Sequence, residues 1–244
     1  MQTLNKWPKV RPPLTAEQES IWEDFFTLWH EVLPRRYQIV ERFNQAFPTR
    51  YQHAGVRTTM EIGAGMGGHL DYERPSPEQE RNYYAVELRE SLAKHIRKKY
   101  PLVNVVIADS QDRLPFEDDS FDRCVAVHVL EHLPNLPACL AEIWRVLNKQ
   151  RGQLLAVIPC EGGPVYSLAR HLSARSIFEG AYDMPYAPFI QREHLNRPDD
   201  IQAELTSHFT VVRRRFYPLP FLPVTPINLC IGLVLRPRFT PLGS

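Results

Sequence analysis

Only four cysteines occur in the 244 residues, and no two of them stand in a C-x-x-C pair. That spacing argues against a disulfide scaffold and against thiolate metal knots, and it fits a reduced, cytoplasmic protein. No run approaches the roughly 18 apolar residues that a membrane-spanning helix needs, and Met1 to Arg11 holds no apolar stretch of signal-peptide length. A soluble chain is expected. Neither sign of charge dominates: the formal net charge is +1, so no global positive field gathers nucleic acid, and bulk nucleic-acid binding is disfavoured. With no H-E-x-x-H and no calcium loop, no metal site is expected. The sequence carries no signal for oligomeric state.

What is present is enough for one sizeable core. The composition is 43% hydrophobic and 23% charged, which is ordinary for a globular chain able to bury roughly 70% of its unfolded surface. The 22 prolines crowd the two ends and imply ordered, irregular flanks. The centre of the reading is Thr58 to Leu70. An apolar strand runs into Gly63, Gly65, Gly67 and Gly68, a turn at which another molecule can approach the backbone. Gly63, Gly65 and Gly68 fit the dinucleotide pattern G-x-G-x-x-G, whereas Gly63, Gly65 and Gly67 fit the tighter G-x-G-x-G. The glycines alone leave a nicotinamide or flavin site and a nucleoside site open.

Before that turn, Met1 to Leu14 reads as an extended basic arm. Apolar residues at helical spacing follow: Ile21, Trp22, Phe25, Phe26, Leu28, Trp29 and Val32, and, after Pro34, Tyr37, Ile39, Val40, Phe43 and Phe47. Packing is the main expectation for this stripe, with one wall of a pocket as the alternative. After the turn, Pro75 and Pro77 cut the first crossover helix short. Strands are expected at Tyr83–Leu88, at Val103–Ala108 (buried), at Phe121–Val127 and at Gly152–Ile158, with helices over Leu92–Tyr100 and Leu136–Leu147. Such alternation predicts a parallel sheet with its ligand crevice beyond the carboxyl ends of the strands, where Asp71, Glu87, Asp109 and His128 gather. A carboxylate at the end of the second strand, Glu87, is suited to accept hydrogen bonds from both ribose hydroxyls.

These residues resemble the class I S-adenosylmethionine-dependent methyltransferases, in particular the type 11 group, over roughly Thr58 to Pro159. Glu61-Ile62-Gly63-Ala64-Gly65-Met66-Gly67 is similar to the group's first motif, and Leu114-Pro115-Phe116 with Ser120-Phe121-Asp122 is similar to its L-P-F…S-F-D signature. His128-Val129-Leu130-Glu131-His132-Leu133 resembles the segment after strand four. The resemblance implies an α/β, Rossmann-like, seven-stranded, mostly parallel sheet with helices on both faces. It implies S-adenosyl-L-methionine as cofactor, held by Glu61, Gly63, Ala64, Gly65, Gly67, Glu87 with Leu88, Asp109 with Ser110, and His128. The departure from the pattern is the missing long helix after the glycine turn.

Methyl transfer is an in-line displacement that needs a positioned nucleophile more than a charged apparatus. For a hydroxyl acceptor a base would help, and His128 is the first candidate, with packing or helix capping as its plainer reading. Glu131 reads as a helix-start carboxylate. Acceptor contacts are expected from His69, Asp71, His132, Tyr166, Tyr186 and His194. The division expected is an N-terminal arm and helical cap (1–56), a cofactor-binding core (57–160), a cap or lid inserted after strand five (161–207) and final strands completing the sheet (208–244). The proline-stiffened stretch 217–226 either packs under the cap or lines a greasy groove with peripheral membrane contact. The leading expectation is transfer to a small-molecule acceptor, lipid- or sugar-linked. A non-catalytic module of the same fold is the alternative, and a nicotinamide oxidoreductase stands behind both.

Overall fold

A computed structural model describes residues 6–25 and 38–241. The expected cap positions Phe26, Leu28, Trp29, Val32, Pro34 and Tyr37 lie outside the described residues. Seven strands form one sheet: β1 (Thr59–Ile62), β2 (Tyr83–Glu87), β3 (Asn104–Ile107), β4 (Arg123–Val127), β5 (Gln153–Pro159), β6 (Phe209–Tyr217) and β7 (Cys230–Pro237). Their order is β3-β2-β1-β4-β5-β7-β6. β1 to β5 pair in parallel, and β7 lies antiparallel to both β5 and β6. Strand order reverses beside β1, so the carboxyl ends of β1, β2 and β4 open on the switch point where ligands bind in such sheets.

The sheet is buried from both sides. The helix Leu136–Val146 turns Leu136, Cys139, Leu140, Ile143 and Val146 onto one face, and the helix Pro198–His208 adds Ile201 and Leu205 to the same cluster. On the other face the helix Gln38–Tyr51 lays Phe47 against β5 and β7. A Cβ on Gly232 would stand 2.3 Å from the Phe47 ring, so the helix sits this close only because β7 carries glycine there.

The first crossover helix is the six-residue Gly68–Glu73, as the prolines predict, and it stops at Arg74 with φ +50. A second short helix, Pro77–Arg81, starts from a Ser76–Gln79 capping box. Two strand expectations need correction. β3 is not buried: it forms the sheet edge, and its residues are half-buried or exposed. The apolar pattern Phe209–Val212 suggests a strand that ends at Val212, whereas β6 runs on through Arg213, Arg214 and Arg215 to Tyr217, five residues further. An outer edge strand with charged side chains in water keeps its ladder while resisting edge-to-edge association.

After β5 the chain builds a cap from short helices at Pro164–Arg170, Ser176–Ala181 and Ala187–Glu193. Phe178, Tyr186 and Phe189 bury themselves there against Trp22 and Phe25 of the helical residues 16–25. Trp22 stacks on Phe189 at 5.5 Å, and Phe25 meets Phe178 edge-on at 4.9 Å. The arm straps this cap to the sheet: Lys9 Nζ donates to Leu195 O and Asp200, Arg11 to His132 O, and Arg192 to Pro12 O. Among the described residues no helix is long and apolar enough to cross a membrane.

Candidate active site

The glycine turn resolves the spacing ambiguity. Gly63, Gly65 and Gly67 all take positive φ, at +62, +56 and +80, whereas Gly68 opens the following helix. The operative pattern is therefore G-x-G-x-G. A Cβ on Gly63 would lie 2.4 Å from Val129 Cγ2, so this glycine lets the segment after β4 pack on the turn. A Cβ on Gly65 would meet nothing within 4 Å, and there the backbone lies open to a ligand.

Beneath the turn is a buried polar network. Glu61 is 3% exposed and accepts from Tyr83 Oη at 2.6 Å; burial raises its pKa. Arg123, 1% exposed, donates through Nε to Thr59 Oγ1 at 3.1 Å and through one terminal nitrogen to Gln52 at 2.7 Å, and it pairs with Glu73. Burial opposes ionisation of Glu73, yet His69 and Arg123 hold its pKa down at about 2. His69, expected to reach an acceptor, has Nδ1 against Gln45 O at 2.7 Å and Nε2 2.7 Å from Glu73. The network fixes β1, β4 and the short crossover helix under the turn.

The turn faces a cavity of about 1030 Å³. Glu87 ends β2, with Oε2 accepting from Gly65 N–H at 2.8 Å and Oε1 from Arg89 N–H at 2.9 Å. Asp109 follows β3 and accepts from Gln111 N–H at 2.9 Å. Both carboxylates line this one cavity, with Glu61, Gly63, Ala64, Gly65, Leu88 and Ser110. Asp71 stands at its wall, exposed, and takes Tyr100 Oη and Lys99. An adenosine presents what these groups accept: ribose hydroxyls and an exocyclic amine beside an open glycine backbone.

The far end of the cavity is lined by His128, Glu131, His132, Tyr166, Arg170, Tyr186, Glu193, His194 and Cys230. His128 has φ +50, its Nδ1 lies 3.0 Å from Glu131 Oε1, and its Nε2 is 3.9 Å from Cys230 Sγ. Burial alone would lower its pKa, but contacts with Cys230 and Glu131 raise it well above the ordinary 6.5. The contact with Glu131 orients the ring at the cavity wall. Glu131 stands in the first turn of the short helix Leu130–His132, as expected, but it is buried at 1% exposure, and His128, His132 and His194 bring its pKa to about 2 against that burial. Burial lowers the His132 pKa. Glu161 pairs with both Arg170, at 2.7 Å, and His194, and the Arg170 guanidinium lies 4.7 Å over the Tyr166 ring. Tyr186 is sunk in the aromatic cap, and burial pushes its pKa up to about 12.

Sequence reasoning did not foresee Glu193, Gln111 or Cys230 at the cavity, nor that Glu131 gathers three imidazoles. His194 lies 63 positions beyond Glu131, and no local pattern signals that meeting; the short spacing from His128 to His132 is the one clue the sequence held.

Residues 60–156 match the model of a methyltransferase domain. A probable S-adenosylmethionine-dependent methyltransferase of Mycobacterium tuberculosis, found in two strains, is 29% identical over 184 residues, 74% of this chain. The chain spans 55% of the length of those relatives. A Burkholderia thailandensis 1,6-didemethyltoxoflavin-N1-methyltransferase, solved with its substrate and S-adenosylhomocysteine, shares the fold at TM-score 0.58 and 17% identity, over 94% of each chain. A S-adenosylmethionine-dependent methyltransferase of Thermotoga maritima does so at TM-score 0.58 and 19% identity, over 88% of this chain and 98% of the other. With the sheet order, the G-x-G-x-G turn and the two carboxylates on one cavity, residues 60–156 match a methyltransferase domain, and the chain shares the fold of these solved methyltransferases.

Proposed function

We propose that this chain moves a methyl group from S-adenosyl-L-methionine to a small-molecule acceptor. The observation that carries the reading is the single cavity with adenosine-type partners at one end and an aromatic, imidazole-rich chamber at the other. At about 1030 Å³ it reaches the upper end of ordinary ligand sites, ~300–1,000 Å³, and has room for two molecules. The cofactor supplies an electrophilic methyl group; the protein supplies orientation. Glu87 and Asp109 hold the nucleoside and the glycine turn accommodates its chain. The cap of Trp22, Phe25, Phe178, Tyr186 and Phe189 excludes water from the chamber where the acceptor sits.

A lipid-linked acceptor is favoured by the stretch 217–226. Asn228, fully buried, donates to Leu222 O at 2.8 Å and Val224 O at 2.9 Å and accepts from Leu219 N–H at 2.8 Å. That staple holds a loop on which Leu219, Phe221, Leu222 and Val224 are exposed, Phe221 at 92%. An ordered loop presenting four apolar side chains suits shallow contact with a lipid surface. The loop runs on into Pro226, close under Gly163 at the start of the cap.

The test is incubation with methyl-labelled cofactor and fractionated metabolite extract, with and without lipid. Label moving into a lipid-phase product supports the reading, and label moving into a water-soluble product removes its lipid part. Retention of all label on the cofactor despite tight cofactor binding would instead favour a non-catalytic module.

A further inference from the structure

Two imidazoles and a carboxylate meet at the acceptor end of the cavity, from segments more than sixty residues apart. Glu131, His132 and His194 each place a ligand atom within 4.8 Å of the other two, and among the described residues no other such group of three occurs. The hydrogen positions follow from the partners. His132 Nδ1 lies 2.9 Å from Glu193 O, a carbonyl that can only accept, so Nδ1 carries the hydrogen and the Nε2 lone pair is free. That Nε2 points at Glu131, 4.0 Å from Oε1. His194 Nδ1 sits against the Glu161 carboxylate, with Arg170 Nη2 farther off at 3.3 Å; the shorter contact places the hydrogen on Nδ1 and leaves Nε2 free as well. Glu131 Oε1 takes His128, while Oε2 is buried with no hydrogen-bond partner.

A free imidazole lone pair 4.0 Å from one oxygen of a buried carboxylate, whose other oxygen has no hydrogen-bond partner, leaves a place for a cation among the three side chains. Their surroundings match metal sites: a ligating histidine ordinarily donates its other N–H to a carboxylate or a backbone carbonyl, and here one does each. We propose that Glu131, His132 and His194 bind a first-row divalent ion of the zinc type, with positions left open toward the cavity. Imidazole nitrogen favours zinc and its neighbours over magnesium or calcium, which want oxygen alone. With metal–nitrogen bonds of about 2.0–2.1 Å, tetrahedral ligands stand about 3.4 Å apart, so the three groups must draw in by about 1 Å. Side-chain rotation covers that distance. The site needs no cofactor, and it rests on the methyl-transfer reading only for its position beside the acceptor.

The experiment is titration of the metal-stripped protein with zinc, followed by calorimetry, and with cobalt, followed by its visible absorption, both without S-adenosylmethionine. The expected result is one ion per chain, with cobalt bands of low-coordinate nitrogen and oxygen ligation. His194→Ala should weaken zinc by at least tenfold and His132→Ala likewise. Glu161→Gln, which leaves all three ligands in place, should weaken it 10–100-fold and shift the cobalt spectrum. His171→Ala, an exposed histidine of the same cap, should bind as the parent does. Melting curves and S-adenosylhomocysteine binding, measured alongside, show that each variant is folded. No binding above the level of the His194→Ala variant, or equal losses in His171→Ala, would overturn the proposal while leaving the cofactor reading standing.

Discussion

Arg123→Met is the most informative single substitution in the buried network. It removes the guanidinium that serves Thr59, Gln52 and Glu73 together, at a position 1% exposed. Glu73 then stays in the interior with His69 and Thr49 as its remaining partners and no guanidinium beside it. The native pKa of Glu73, about 2 against an ordinary 4.5, corresponds to about 3 kcal/mol of preference for its charged form at roughly 1.4 kcal/mol per tenfold. Arg123 and His69 share that preference, and the stranded hydrogen-bond partners add to the loss, so the substitution is expected to cost about 2–4 kcal/mol, near the ~3–5 that broken buried pairs show. Glu73→Gln in addition should restore at least about 1 kcal/mol, because no buried charge is then left alone. The assay is urea unfolding followed by far-ultraviolet circular dichroism, with equal slopes checked across all four proteins of the cycle. Acidity gives a second reading. A carboxylate whose native pKa is lowered contributes its full stability above about pH 4.5 and loses it as pH falls toward about 2. The parent should therefore lose stability over that window and Glu73→Gln should lose less. A cost under 1 kcal/mol for Arg123→Met, or strictly additive effects in the cycle, would refute the reasoning.

Three further outcomes follow. Gly63→Ala should destabilise by about 2–4 kcal/mol, since its Cβ would lie 2.4 Å from Val129 Cγ2 at a φ of +62, and Val129→Ala should recover only the steric part, as read by thermal melts. Phe221→Ser should leave the melting temperature unchanged and reduce sedimentation with lipid vesicles, because the side chain is 92% exposed and supports nothing beneath it. Trp22→Ala should open the cap by removing the stack on Phe189, raising the accessibility of the chamber to a hydrophobic dye and lowering stability by about 3 kcal/mol.

Much of the core was legible because its signals are local. The alternation of apolar strands and helices yields the parallel half of the sheet, and the acids at strand ends fall on one cavity because parallel strands all point the same way. Pro75 and Pro77 announce the shortened crossover. Where the reading stopped short, the missing cause is non-local. β3 has the apolar pattern of a buried strand, and only the strand order makes it an edge. Arg213 to Arg215 carry no apolar alternation of their own, and it is β7 that supplies the ladder that carries them. Glu131 has the helix-start place its local pattern suggests, but its burial is non-local: Asn196, donating to Leu130 O and Leu133 O, pins its segment beneath the cap with His194 close by. His128 has the placement of a base, but its charge depends on Glu131 and Cys230, the second of them 102 residues away.

The account turns on one nucleoside gripped between Glu87 and Asp109 beside an open glycine turn. Calorimetry with S-adenosylhomocysteine tests it, on the parent chain and on Glu87→Ala, with NAD as the competing ligand. The account predicts one thioether bound per chain, affinity reduced about 10- to 150-fold in Glu87→Ala, as loss of charge-assisted hydrogen bonds worth about 1.5–3 kcal/mol requires, and no measurable NAD. Equal affinity in the two proteins, or tight NAD with no thioether bound, would contradict it.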